Sequence, residues 1–164
     1  MLTHRYALRI ALSALAIALL TVGLLTHAST AQRRAPALPS RALSGKLTTL
    51  ADLHGYAAVV LFWAPDCAPC HWEAPAIERF ARSARGRGRI VAIDDDYTSA
   101  WRKFLRDYDW TFPVLADQTL AVADAYRILG LPTAVFLDPD GRIASSRSGP
   151  QTVVSLTRGL SAAA

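Results

Sequence analysis

Thiols are the scarcest chemistry in this chain. Among 164 residues only Cys67 and Cys70 carry one, and the single methionine is the first residue. With no second cysteine pair, a four-ligand zinc site of the common kind is excluded, and His4, His27, His54 and His71 show no ligand spacing that would replace it. A structural staple is also disfavoured. Closing so short a loop is worth only about 2 kcal/mol in the chain-entropy account, against about 4.7 kcal/mol for a loop of about 100 residues. Lysine is nearly missing as well, since 16 of the 18 basic residues are arginine, so the formal charge of +5 reads as a compositional habit. Arg79, Arg82, Arg85, Arg87 and Arg89 form the densest basic group, and their place at a helix end and the following loop marks a solvated face, not a nucleic-acid surface. No internal repeat or low-complexity tract appears. What is there is one Cys67-Ala68-Pro69-Cys70 pair at a strand-to-helix junction. Two thiols so placed form a disulfide, break it and pass the exchange to another protein.

Residues 1–31 are set apart from the fold. His4, Arg5 and Arg9 precede an uncharged run from Ile10 to Thr26, and Ser29-Thr30-Ala31 resembles a signal-peptidase site, with Thr26-His27-Ala28 a poorer one. The run is long for a signal core of about 7–15 residues and near the short limit of about 17–25 for a spanning helix. A cleaved signal peptide and a retained membrane anchor therefore both stay open. Arg5 and Arg9 favour a cytoplasmic N-terminus, with Arg33 and Arg34 as a weaker counterweight. Either outcome puts the remainder outside the cytoplasm, in the periplasm or an equivalent compartment, free or tethered to the inner membrane. There a lone thiol pair stays oxidised unless something reduces it. In an anchored chain Arg33 and Arg34 would meet anionic headgroups.

Residues 32–45 mix proline, arginine and small residues without periodicity and read as a tether. Residues 46–164 are of ordinary domain size. Ala57–Trp63 is an apolar run with β-branched and aromatic members, a buried strand stopped by Pro65. A helix begins at Cys67, with Pro69 in its first turn and Pro75 inside it as a kink, and Ala74, Ile77, Phe80, Ala81 and Ala84 form its core stripe. Gly86 and Gly88 end it, and Arg89–Ile93 is a second buried strand, completing a right-handed crossover. A helix over Ser99–Asp107, an extended piece at Thr111–Ala116, and a helix over Leu120–Ile128 capped by Asp117 and closed by Gly130 follow. Thr133–Leu137 and Arg142–Ser145 flank Asp138-Pro139-Asp140-Gly141 as a hairpin, and Pro150 opens a last helix through Leu160. The order predicts an α/β fold, a mixed sheet with helices on both faces.

Cys67 precedes the helix, where unpaired amides and the dipole stabilise a thiolate, so it is the expected nucleophile. Cys70 lies one turn inside, on the buried side, as the resolving thiol. Glu73 shares the stripe of Ile77, Phe80 and Ala84. A carboxylate there is partly desolvated, with its pKa raised towards the range of a proton carrier, unless the kink at Pro75 turns it outward. Asp94-Asp95-Asp96 reads as a solvated loop rather than a cation site. His71 is expected at the helix surface, and Trp72, Trp101 and Trp110 are expected to pack.

Phe62-Trp63-Ala64-Pro65-Asp66-Cys67-Ala68-Pro69-Cys70 resembles the thioredoxin active-site segment, Pro75 the helix-kinking proline after it, and Gly130-Leu131-Pro132-Thr133 the loop whose proline is cis in that fold. Cys70-His71-Trp72-Glu73-Ala74-Pro75, Phe112-Pro113-Val114-Leu115 and the stretch from Leu131 to Gly141 are similar to the exported TlpA/ResA-like branch, in register over most of residues 46–160. The resemblance implies a thioredoxin-like fold and a thiol–disulfide oxidoreductase. Its catalytic residues would be Cys67, Cys70 and Glu73. Leu131 and Pro132 would bind substrate, with Leu131 pairing to an extended segment, and Trp63 would stand beside them. From the residues alone, a trans proline that ends the preceding helix is the favoured reading of Pro132. The resemblance also implies protein thiols or disulfides as substrates, a membrane dithiol as electron donor, a monomer, and no cofactor beyond the disulfide.

Two departures bear on direction. Leu61 stands where thioredoxin has a buried aspartate, which shifts the proton role to Glu73, and Asp66 replaces a tryptophan before the first cysteine. A negative neighbour opposes thiolate formation at Cys67 and favours a reductant, provided it does not point into water. Cytochrome c maturation is one role of the branch, but this proline loop lacks the acidic residue of its dedicated haem-maturation members. A peroxiredoxin reading fails because Pro65 lies only two positions before Cys67. A copper-delivery or copper-sensing module of the same fold is the alternative from another class, and it expects wider cysteine spacing and a distant histidine. A non-catalytic interaction domain is opposed by the intact pair.

Overall fold

The computed structural model describes residues 32–96 and 98–164. The segment read as a signal or anchor, 1–31, lies outside them. No helix among the described residues is long and apolar enough to cross a membrane. Residues 33–164 form one folded unit. In chain order it consists of β1 (Ala42–Ser44), α1 (Leu50–Leu53), β2 (Ala58–Trp63), α2 (Ala68–Arg82), β3 (Ile90–Asp94), α3 (Trp101–Asp107), β4 (Val114–Ala116), α4 (Ala121–Tyr126), β5 (Thr133–Leu137), β6 (Ile143–Ser148) and α5 (Val153–Ala163).

The strands make one six-stranded sheet in the order β1-β4-β3-β2-β5-β6. β2 pairs with β3, and β3 with β4, in parallel, while β1–β4, β2–β5 and β5–β6 are antiparallel. This is the thioredoxin-like arrangement. β2 is central and every residue of it is buried, which is why its sequence runs apolar without alternation. Alternation still sorts its side chains between faces. Val59, Leu61 and Trp63 join Cys70, Ile77, Phe80, Phe104 and Leu156 on one face, whereas Val60 and Phe62 meet Leu53, Ala123 and Tyr126 on the other. Helices therefore cover both sides.

The predicted elements are present with shifted ends. α4 begins after Leu120 and stops at Arg127, whose φ of 60° supplies the left-handed turn expected of Gly130. Asp117 does cap this helix, its Oδ2 accepting from the amides of Val122 and Ala123 at 2.8 Å each. In the β5–β6 hairpin Asp138 Oδ1 accepts from the amides of Asp140 (3.0 Å) and Arg142 (2.8 Å), and Gly141 takes a φ of 73°. α1, capped by a Thr49–Asp52 box, is a single turn and too short to be visible as a period.

The stretch predicted as a tether is part of the fold. β1 joins the sheet edge with Ala42 opposite Leu115, Arg34 bridges Arg142, and Ala35 is buried with its N–H on Gly141 O at 2.9 Å. Main-chain pairing at a sheet edge needs no side-chain periodicity, so composition could not reveal it.

Candidate active site

The crossover from β2 to α2 brings the two cysteines to the C-terminal end of the parallel strands. Trp63 ends β2, the Cys67 N–H turns back to Ala64 O at 3.2 Å, and α2 starts at Ala68 with Cys67 as its N-cap. Cys67 and Cys70 are joined, with an S–S distance of 2.14 Å and Cα atoms 5.3 Å apart. Cys67 is half-buried, whereas Cys70 is 1% exposed. The Cys70 amide donates to Cys67 Sγ at 3.2 Å, the place a capping oxygen takes in other helices. A donor aimed at this sulfur at a helix N-terminus favours its thiolate. Pro69 sits in the first turn, where its missing N–H leaves no ladder bond unmade.

Glu73 is turned inward. It is 2% exposed, and the kink at Pro75 does not carry it to the surface. Its Oε2 accepts from the Gln151 amide at 2.6 Å, and Oε1 has no partner. Burial raises the carboxyl from 4.5 to about 7 against the opposing pull of that amide. Cys70 and Glu73 are three apart on one helix, so their side chains rise from neighbouring points of one face.

The Leu131–Pro132 bond is cis. Pro132 is buried, its carbonyl accepting from Gly149 N–H at 2.8 Å, and Leu131 packs against the cluster that holds the disulfide. Trp63 does not stand at a substrate surface. It is wholly buried against Phe104 and Trp110, with ring centroids 4.3 and 4.9 Å away, because a side chain on the central strand's helix-facing side is covered by α2 and α3. Trp72 reverses the other way. Expected to pack, it is 74% exposed beside Cys70 on α2, off the core stripe.

Two expectations of a solvated surface are corrected, that for His71 and that for the triple aspartate. His71 is fastened at both nitrogens, with Nε2 2.8 Å from Pro65 O and Nδ1 2.9 Å from the Tyr108 hydroxyl. A carbonyl only accepts, so Nε2 carries the proton, and in the neutral ring Nδ1 accepts from Tyr108. The ring also lies 4.8 Å from Phe104, tying the active-site loop to α3. The triple aspartate is the second. Asp94 is wholly buried at the end of β3, and Asp95 and Asp96 are partly buried. Asp66 is exposed, so water screens its charge from Cys67 and its effect on direction is small. Asp66, Asp95 and Asp96 also line an open groove of about 340 Å³ that reaches Leu131. Among the described residues no group of three or more His, Cys, Asp or Glu is placed to hold a metal.

A redox-active disulfide at the N-cap of the crossover helix, on a thioredoxin-like sheet with a cis-proline loop, defines a thiol–disulfide oxidoreductase. The chain belongs to the AhpC/TSA family, which matches residues 31–146, and among its members to the ResA-related thiol–disulfide oxidoreductases. It is 33% identical over 122 residues to "Thiol-disulfide oxidoreductase ResA" of Bacillus cereus, covering 73% of this chain and 70% of that one. Among solved structures, a secreted Mycobacterium tuberculosis disulfide oxidoreductase homologous to E. coli DsbE superposes with a TM-score of 0.64 at 25% identity, covering 76% of this chain and 95% of that one. A thioredoxin-family thiol:disulfide interchange protein from Chlorobium tepidum, 24% identical with a TM-score of 0.72, covers 83% of this chain and 99% of its own and shows the same fold.

Proposed function

We propose that this chain is an exported reductase of protein disulfides in the cell envelope, delivered or held there by residues 1–31 and recharged by a membrane dithiol. The observation that carries the reading is the asymmetry of the pair: a half-buried Cys67 with an amide aimed at its sulfur, beside a Cys70 closed off from solvent. In the reduced protein the Cys67 thiolate attacks a substrate disulfide, forming a mixed disulfide and releasing one substrate thiolate. Cys70 gives its proton to Glu73 and attacks Cys67 Sγ. The second substrate sulfur leaves as a thiolate, and the Cys67–Cys70 bond reforms. A donor dithiol then returns two electrons and two protons by the same exchange run backwards. Glu73, with a pKa of about 7, is half ionised near neutrality and so able both to take and to return the proton.

Leu131 precedes β5 and lies outside both of its ladders, leaving its main chain for an extended substrate segment, with Pro132 as the wall beside it. The test is a Cys70→Ala trap in the native envelope. Mixed disulfides on Cys67 that a reductant releases are expected, and they would name the substrates. A variant that captures no adduct would remove the mechanism.

A further inference from the structure

The mechanism above leaves one buried acid without a task. Asp94 closes β3 and is 0% exposed. It pairs in register with Trp63, from which the chain runs directly through Ala64, Pro65 and Asp66 to Cys67. Ile90 and Ala92 belong to the core cluster that contains Trp63 and Cys70, so the strand's two-residue period puts Asp94 on that same face, at the active-site end. Its Oδ1 accepts from the Asp96 amide at 3.2 Å, but its Oδ2 is buried with no partner among the described residues, as is the indole Nε1 of Trp63. A carboxylate so poorly satisfied is costly to keep, so a further negative charge nearby tips it to the acid.

Burial first, and then the charges of Asp96 and Asp95 on its own loop and of Asp66 on the loop before α2, raise Asp94 from 3.8 to about 7 against the pull of the Asp96 amide. The other titratable groups nearby are committed elsewhere. On α2, His71 holds Pro65 and Tyr108, and Glu73 holds the Gln151 amide. After β4, Asp117 donates its own N–H to Asp94 O at 2.9 Å but turns its carboxylate to cap α4.

We propose that Asp94 is a redox-linked proton acceptor, taking up a proton when the Cys67–Cys70 disulfide is reduced and releasing it when the disulfide reforms. The cause is electrostatic. Reduction breaks the S–S bond and leaves a new negative charge on Cys67, at the end of the sheet where Asp94 already lies among acids. The balance closes without solvent protons. A donor dithiol surrenders two electrons and two protons and becomes a disulfide. The electrons break the Cys67–Cys70 bond. One proton reaches Cys70 sulfur by way of Glu73, which has already passed the proton of the resolving step to the departing substrate thiolate, and the other converts the Asp94 carboxylate to the acid. Cys67 is thereby kept as a thiolate, ready for substrate, while the total charge of the site is unchanged. This role is distinct from that of Glu73, which serves Cys70 in the resolving step, and it rests on the redox reading of the pair.

The experiment is a reduced-minus-oxidised infrared difference spectrum of the whole chain just above neutral pH, with dithiothreitol as reductant and thiol titration on the same samples. A protonated-carboxyl band should appear on reduction in the wild type, persist in Glu73→Gln and Asp95→Asn, and vanish in Asp94→Asn. No band in the wild type, or a band lost with Glu73→Gln or Asp95→Asn and kept with Asp94→Asn, overturns the proposal. If Asp94→Asn does not fold, Asp94→Glu takes its place, since a band shifted in frequency by that change belongs to residue 94 and an unshifted band overturns the proposal. The thiol titration separates the two readings. A disulfide that dithiothreitol cannot reduce contradicts the oxidoreductase, whereas normal reduction without the Asp94 band contradicts only the proton acceptor.

Discussion

Two glutamates on α2 show how neighbouring side chains acquire different work. Glu73 and Glu78 are both buried, at 2% and 6% exposure. Glu78 is satisfied, its carboxylate receiving Arg82 Nε, the Thr111 amide at 3.0 Å and the Thr111 hydroxyl at 2.8 Å. It fastens a helix to a loop. Glu73 has one amide and one empty oxygen, and among the described residues no cation pairs with it. A carboxyl so placed changes protonation at little structural expense. Replacing it by glutamine keeps the shape and removes the titration. In the reduced wild type, the rate of Cys70 alkylation against pH should carry an inflection near 7, where Glu73 ionises. In Glu73→Gln that inflection should vanish. The alkaline limb should also move to lower pH, because a negative neighbour no longer opposes the Cys70 thiolate. Disulfide exchange at neutral pH should fall by about 10²-fold, the low end for a lost proton-transfer group. An unchanged profile would end the proton role of Glu73.

Among the elements, α5 carries the least obvious constraint. It holds the site from behind, since Gln151 just before it supplies the amide on Glu73, and Leu156 and Leu160 pack into the face that contains Cys70. Gly159 lets it approach, because a Cβ there would stand 2.1 Å from the Phe136 ring. Alanine is the better helix former by about 1 kcal/mol, yet overpacking of a close contact costs about 1–3 kcal/mol. Gly159→Ala should therefore lower stability by up to about 2 kcal/mol by urea unfolding. A stabilised variant would mean that α5 is free to shift. Such close approaches are invisible in sequence, where Gly159 reads only as a weak helix residue. The opposite holds for β2 and the start of α2, whose apolar run and proline positions are dictated by burial on a central strand and a crossover helix, so they were legible within a residue or so. At its other end α2 stops at Arg82 and leaves Ala84, expected in its stripe, exposed. Trp63 and Asp94 were misread for a shared reason. Which end of a buried strand is roofed by a helix depends on packing from distant segments, here α2 and α3, and no local pattern records it. His71, expected at the helix surface, was misread because Tyr108 meets it only after β3 and α3 fold back.

At the scale of the whole molecule, an acidic interior lies under a basic surface. The chain carries a net charge of +5, yet Glu73, Asp94 and Asp95 are each raised to about 7, chiefly by burial. Their unfolded values are the ordinary 4.5 and 3.8. Between those values and about 7 the folded protein binds more protons than the unfolded chain, so its stability falls as pH rises through that window and levels off above it. For Glu73 alone the shift corresponds to something on the order of 3 kcal/mol at about 1.4 kcal/mol per unit. Asp52 works in the other direction. Its bonds to Lys46 and Thr49 hold it well below the usual carboxylate range, so its contribution is present above its unfolded value and is lost only as pH falls further. The two trends place the stability maximum of the oxidised protein in mildly acidic solution. The urea midpoint should decline steadily from about pH 5 to about pH 8, against the common pattern of carboxylates that gain partners on folding. Glu73→Gln should flatten part of that decline, and Asp94→Asn another part. A midpoint that rises over the same range would show that these carboxyls are ionised in the folded state, and the interior would then have to solvate three charges it provides few partners for.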